Sequence, residues 1–134
     1  MVPLDYHIDH SLRLVHATGR GRLTDQDVFG YQLEVWSRAE VAGFDELVDM
    51  TAVEHIDVPS SERMKELVRV AATADPPSRP SKFAIVAPDR LAYDLAQFFK
   101  VYRELDPRST KQVEVFKTMP EALGWLGVGV ADSS

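Results

Sequence analysis

Phe83-Ala84-Ile85-Val86-Ala87 is an unbroken apolar run, followed at once by Pro88-Asp89 and then by Leu91, Leu95, Phe98, Phe99, Tyr102 and Leu105. A strand with one wet face alternates apolar and polar residues, so an unbroken run suits a strand covered on both faces. Asp89 offers a side-chain acceptor to the free N–H groups at the start of a helix. The large apolar residues after it fall within about 120° of arc at 100° per residue, which predicts an amphipathic helix with those six residues inward. A doubly covered strand leading directly into a helix is the repeating unit of an α/β fold.

Working outward, the same alternation continues on both sides. Leu4, Tyr6 and Ile8 alternate with Asp5, His7 and Asp9, then Asp9-His10-Ser11 supplies a turn and Leu12-Arg13-Leu14-Val15 begins a second strand, ended by Gly19 and Gly21. Thr24-Asp25-Gln26-Asp27 has the spacing of a capping box and predicts a helix running to Gly43. Its apolar residues, among them Leu33 and Trp36, spread over roughly 200° of arc, with Gln32 inside it, wider than one sheet face requires. Phe44 to Met50 reads as a strand and Pro59 to Ala74 as a helix with Met64, Leu67, Val68 and Ala71 inward. Val113 to Phe116 is a last strand and Pro120 to Leu126 a short helix. The predicted order is β-β-α-β-α-β-α-β-α. This is a single α/β domain over residues 1–127 with a frayed tail at 128–134. Its five-stranded mixed sheet has four parallel strands and an antiparallel N-terminal edge strand, packed with four helices.

Composition sets the outer bounds. A chain of 134 residues, 45% apolar and 27% charged, suits one ordinary core and excludes a low-complexity or collagenous chain. It has no cysteine, which removes disulfides, thiolate metal sites and a cysteine nucleophile. The net charge of −6 argues against nonspecific binding to nucleic acid, and no run approaches the length of a membrane span. The first nine residues lack the basic and apolar regions of a signal peptide, so a cytoplasmic location is expected. The charge is uneven: residues 1–57 carry 4 basic and 11 acidic residues, and 58–134 carry 11 and 10.

The search for chemistry is mostly negative. Gly19-Arg20-Gly21 lacks the further glycine or lysine of a phosphate loop. Asp5, His7 and Asp9 share a strand face at nearly 7 Å steps, too far apart to converge on one ion, and read as a solvated face. His16 shares a face with Leu12 and Leu14 and reads as a hydrogen-bonded core or edge residue, and His55 falls in an acidic loop. Ser60 and Ser61 have no nucleophile-elbow context and suit a helix start. No catalytic residue, metal or cofactor is assigned, and the chain is read as not an enzyme.

The passage Asp49-Met50-Thr51-Ala52-Val53-Glu54-His55-Ile56-Asp57 resembles the switch segment of STAS domains, the anti-sigma factor antagonists of the SpoIIAA type. Asp49, Thr51, Val53, Ile56 and Asp57 match that segment in spacing. Gly21-Arg22-Leu23-Thr24, Lys82-Phe83-Ala84-Ile85-Val86, Val115-Phe116, Glu121-Ala122 and Trp125-Leu126 look like a narrower branch, the SpoIIAA-like or STAS/SEC14-like group of small bacterial proteins. The likeness spans residues 4 to 127 and implies the fold already derived. In that family a serine two positions after the aspartate is phosphorylated; here the position is Pro59, which has no hydroxyl.

The resemblance implies two functions. One is a noncatalytic regulatory or protein-interaction module without the usual switch serine, whose surface would include Asp49, Thr51, Asp57, Ser60 and Ser61. Its partner would be another protein or a second copy, as a homodimer. The other is a small apolar-ligand or lipid-binding protein of SEC14-like type, with Phe98, Phe99, Tyr102 and Trp36 around a pocket containing Gln32. Leu33 and Trp36 equally suit a subunit contact or packing on the neighbouring helix.

Overall fold

The structure, a computed structural model, describes residues 4–128; of the tail expected at 128–134, all but residue 128 lies outside the described residues. The chain runs β1 (Leu4–Asp9), β2 (Leu14–Leu23), α1 (Asp25–Val35), β3 (Asp45–Ile56), α2 (Ser61–Thr73), β4 (Ser81–Val86), α3 (Arg90–Leu105), β5 (Lys111–Phe116) and α4 (Met119–Leu126), with a 3-10 turn at Ala39–Val41. The five strands lie side by side in chain order. β1 is antiparallel to β2, and β2 through β5 are parallel to one another.

Each parallel step needs a crossover, and α1, α2 and α3 supply them. Val15, Ala17, Phe83, Ile85, Val113 and Val115 point to their side of the sheet, whereas Leu14, Leu47, Ala84 and Val86 pack with Ala122 and Leu126 of α4. The helix starts are capped as their sequences require. Thr24 Oγ1 accepts from Asp27 N–H while Asp27 reaches back to Thr24 N–H; Asp89 accepts from Leu91 and Ala92; Thr118 accepts from Glu121.

Four expectations need correction. β2 does not end at Gly19: it continues to Leu23 through two irregularities of register, with Gly21 at φ +60. A Cβ on Gly19 would stand 2.9 Å from Val53 Cγ2, so the glycine allows close backbone approach inside the strand. β3 does not stop at Met50 but runs to Ile56 against that extended β2, which makes the presumed loop around His55 a strand. α1 ends at Val35 rather than Gly43; Trp36 is its C-cap and Ala39 belongs to the 3-10 turn, which accounts for the over-wide apolar arc.

The fourth concerns α3. Its buried residues are Ala92, Ala96 and Arg103, while Leu91, Phe98 and Leu105, expected inward, are exposed. Small side chains let the helix sit close to the sheet, and Arg103 reaches inward to Asp75. The helix is therefore turned roughly 90° from the orientation its apolar arc predicts.

Candidate functional site

α2 packs on α3 and α1 more closely than on any strand. Beneath it lies a cavity of about 150 Å³. Its floor is the sheet, through Val48, Met50, Phe83 and Ile85; its walls are Phe29 and Gln32 of α1, Met64 and Leu67 of α2, and Leu95, Ala96 and Phe99 of α3. The apolar lining follows from the strand alternation: Glu46, Val48 and Met50 share one face of β3, and Phe83 and Ile85 share the same face of β4 beside them.

Glu46 breaks that apolar face, and it is fully engaged. Its Oε1 accepts from Lys111 Nζ at 2.8 Å and its Oε2 from the Tyr31 hydroxyl at 2.8 Å, while Trp36 Nε1 donates to the Tyr31 oxygen at 3.1 Å. The Lys111 ammonium also lies over the Trp36 ring, 3.1 Å from its centroid. Burial holds the Lys111 amine below its ordinary value, opposed by the Glu46 charge. Burial first, and then Glu46, pushes the Tyr31 phenol well above its usual range.

A second buried pair stands farther along the same helix layer. Arg103 Nη2 donates to Asp75 at 2.7 Å, and that carboxylate also accepts the backbone N–H groups of Thr110 and Lys111. The side chains of both pairs are at most 5% exposed. Buried ions are tolerated only when paired and hydrogen-bonded, and these pairs tie β5 to β3 and to the end of α2.

At the cavity edge, Arg63 of α2 donates to Asp25 of α1 at 2.8 Å and lies 3.9 Å over the Phe29 ring. The guanidinium holds the Asp25 carboxyl below its usual range. Thr24 is occupied by Asp27. Among the polar side chains that line the cavity, Gln32 is the one with no hydrogen bond to a described residue.

The other expected site residues are dispersed among several sets of partners. Asp49 accepts from the backbone and hydroxyl of Thr51. Asp57 forms a two-point pair with Arg22 and contacts His55 at 3.2 Å. Ser60 caps α2 by accepting from Arg63 N–H, and Ser61 is an exposed first residue of that helix. Phe99 and Gln32 line the cavity as expected of a pocket, but Trp36 sits behind Tyr31, Tyr102 lies near Lys65, and Phe98 and Leu33 face solvent. His16, expected to be hydrogen-bonded, buries its Nε2 without a partner. Among the described residues no cluster of three acidic or histidine side chains forms a metal site.

Glu46, Lys111, Asp75 and Arg103 were missed by sequence reasoning. A detectable signal existed for Glu46: a carboxylate in phase with Val48 and Met50, on a strand inside a parallel sheet, requires a buried cation.

No family model matches the sequence. No curated protein is similar to it. Among solved structures, the chain is similar to an uncharacterized protein of the DUF3478 family from Shewanella loihica PV-4, described as having a SpoIIAA-like fold. The two are 18% identical, the match covers 94% of this chain and 95% of that one, and the TM-score is 0.57. With β1 antiparallel at the edge, four parallel strands beside it and four helices, the chain has a SpoIIAA-like fold.

Proposed function

We propose that the chain is a noncatalytic binding module whose ligand is a small, uncharged, mostly apolar molecule held beneath α2. The cavity carries this reading. An apolar space of roughly 150 Å³ accepts a benzene-sized molecule, and it falls short of the roughly 300–1,000 Å³ of larger ligand sites. The lipid reading thus narrows to something of ring or short-chain size. Each charged side chain at the lining already has an opposite charge beside it, so a charged ligand would be buried without a partner. Gln32 can donate and accept, and it favours a ligand with one neutral polar group, such as a phenol.

Titration with toluene, phenol and benzoate, followed by heteronuclear NMR, tests the reading. Toluene and phenol are expected to shift resonances of Met64, Leu67 and Phe99, and benzoate is expected to leave them unmoved. Ala96→Phe fills the cavity and is expected to abolish both responses. No response to any of the three would refute it, as would responses that persist in Ala96→Phe.

A regulatory module working through protein contacts is favoured by a different feature. Pro59 stands at the switch-serine position and Ser60 is engaged as a cap, which disfavours a phosphorylation switch; the support for a partner surface comes instead from α3.

A further inference from the structure

We propose that the outer face of α3 is a self-complementary surface on which a second copy of this chain docks its own α3, antiparallel, about a two-fold axis at Phe98. Seven large apolar side chains are exposed among the described residues, and four of them lie on α3: Leu91 at 46%, Phe98 at 59%, Val101 at 49% and Leu105 at 73%. Leu91, Phe98 and Leu105 are seven residues apart and Val101 lies three beyond Phe98, so the four occupy about 80° of arc. That is the seam of a paired helix, and no described residue covers it.

Charge selects the occupant and its direction. Arg90, Gln97 and Glu104 also recur every seven residues, along one flank of the seam. Antiparallel two-fold pairing brings the same flank of both helices together. It sets Leu91 against Leu105 of the second copy and Phe98 against Phe98. It also places Arg90 against Glu104 and Gln97 against Gln97. Lys100 and Arg103 are engaged within the protomer, but Arg90 and Glu104 have no ion-pair partner among the described residues. Asp94, the polar position in the seam, is brought towards the corner where Lys65 lies over Tyr102. Parallel pairing would lose these matches. An anionic bilayer is a poor alternative cover for a chain of net charge −6.

A 16-residue helix is about 24 Å long, so the pairing alone falls below the roughly 1,200 Å² of a standard interface and gives a weak, reversible dimer. Sedimentation equilibrium of the full chain across a concentration series reads it out. The parent is expected to show a monomer–dimer equilibrium, and Phe98→Asp, at an exposed site, to remain monomeric with an unchanged circular dichroism spectrum. Arg90→Glu sets acid against acid twice and is expected to weaken association about tenfold. Arg90→Glu with Glu104→Arg restores opposite charges and is expected to recover it to within about threefold. A monomeric parent at every concentration overturns the proposal. So does a double variant no better than Arg90→Glu, or a chain that stays monomeric while binding phosphatidylcholine vesicles.

Discussion

Replacing Lys111 by methionine separates the cost of burying a charge from the cost of losing a contact. The methionine stem keeps most of the volume over Trp36 and Phe83, so the cavity contribution is small. What is lost is the ammonium at 2.8 Å from Glu46, and the carboxylate is left with the Tyr31 hydroxyl alone. Breaking one side of a buried pair costs about 3–5 kcal/mol. For a domain of this size each kcal/mol is worth about 3–5 °C, so the midpoint should fall by roughly 9–25 °C. Two further measurements identify the cause. Without its cation the buried carboxylate favours its protonated form, so the folded variant binds more protons than the unfolded chain, and its deficit shrinks as pH is lowered from about 8 to about 5. Adding Glu46→Gln removes the charge and leaves an amide donor short of an acceptor, an orphan worth about 1–3 kcal/mol instead of a buried ion. The double variant should therefore be the more stable of the two by about 1–3 kcal/mol. Urea unfolding followed by tryptophan fluorescence reads all three proteins. A Lys111→Met variant within about 1 kcal/mol of the parent, or a deficit that ignores pH and is not relieved by Glu46→Gln, refutes the reasoning.

Smaller perturbations test the surrounding parts. Thr24→Ala removes the cap of α1 and should cost about 1 kcal/mol in urea unfolding; no loss would mean that Asp27 caps unaided. Arg63→Met keeps the stem over Phe29 but releases Asp25. Since the ion pair is more than a third exposed on the arginine side, stability should change by less than about 1 kcal/mol, whereas toluene exchange measured by NMR lineshape should quicken. His16 is held neutral by burial, below its ordinary value of 6.5. Below 6.5 the unfolded chain binds the extra proton, so stability is lost as pH falls through that value. His16→Leu should flatten that slope in thermal melts between about pH 8 and about pH 5, and an unchanged slope would assign it elsewhere.

Much of the fold was legible because local chemistry and burial point the same way. The Thr24 box and the Asp89 cap start helices where hydrogen bonds are needed, and the Phe83–Ala87 run sits in the middle of the parallel sheet. Legibility failed where one residue type has two physical meanings. Gly19 and Gly21 were read as strand breakers, yet one permits a close approach to Val53 and the other an irregular step within a paired strand. Extending β2 that way also pairs residues 52–56 of β3, so a single misread of glycine turned two strand ends into loops. The dispersed site residues have the same origin. Asp49, Thr51 and Asp57 read as one surface at a strand-to-helix passage; instead β3 carries Asp49 and Thr51 within it and Asp57 stands just past its end.

The disagreement over α3 carries further information. Periodicity names the arc of a helix that ought to avoid water, and the protomer buries a different arc. It turns Ala92, Ala96 and Arg103 inward and uses only Leu95 and Phe99 from the apolar side to wall the cavity. Two forces fix that rotation: the short alanines allow close packing on Phe83 and Ile85, and Arg103 must reach the Asp75 carboxylate, whose buried charge would otherwise have backbone N–H groups but no cation. Each part of the apolar arc left over then has its own consequence. The part between α3 and α2 borders an unfilled space, because Met64, Leu67 and Phe99 meet across it without closing it. The part beyond, Leu91, Phe98 and Leu105, is exposed at the surface of the protomer. A fully packed monomer would have no reason to keep either. Unfilled space inside and uncovered surface outside are thus two results of one rotation. They are separable by experiment: filling the cavity with Ala96→Phe should leave self-association intact, and Phe98→Asp should leave toluene binding intact.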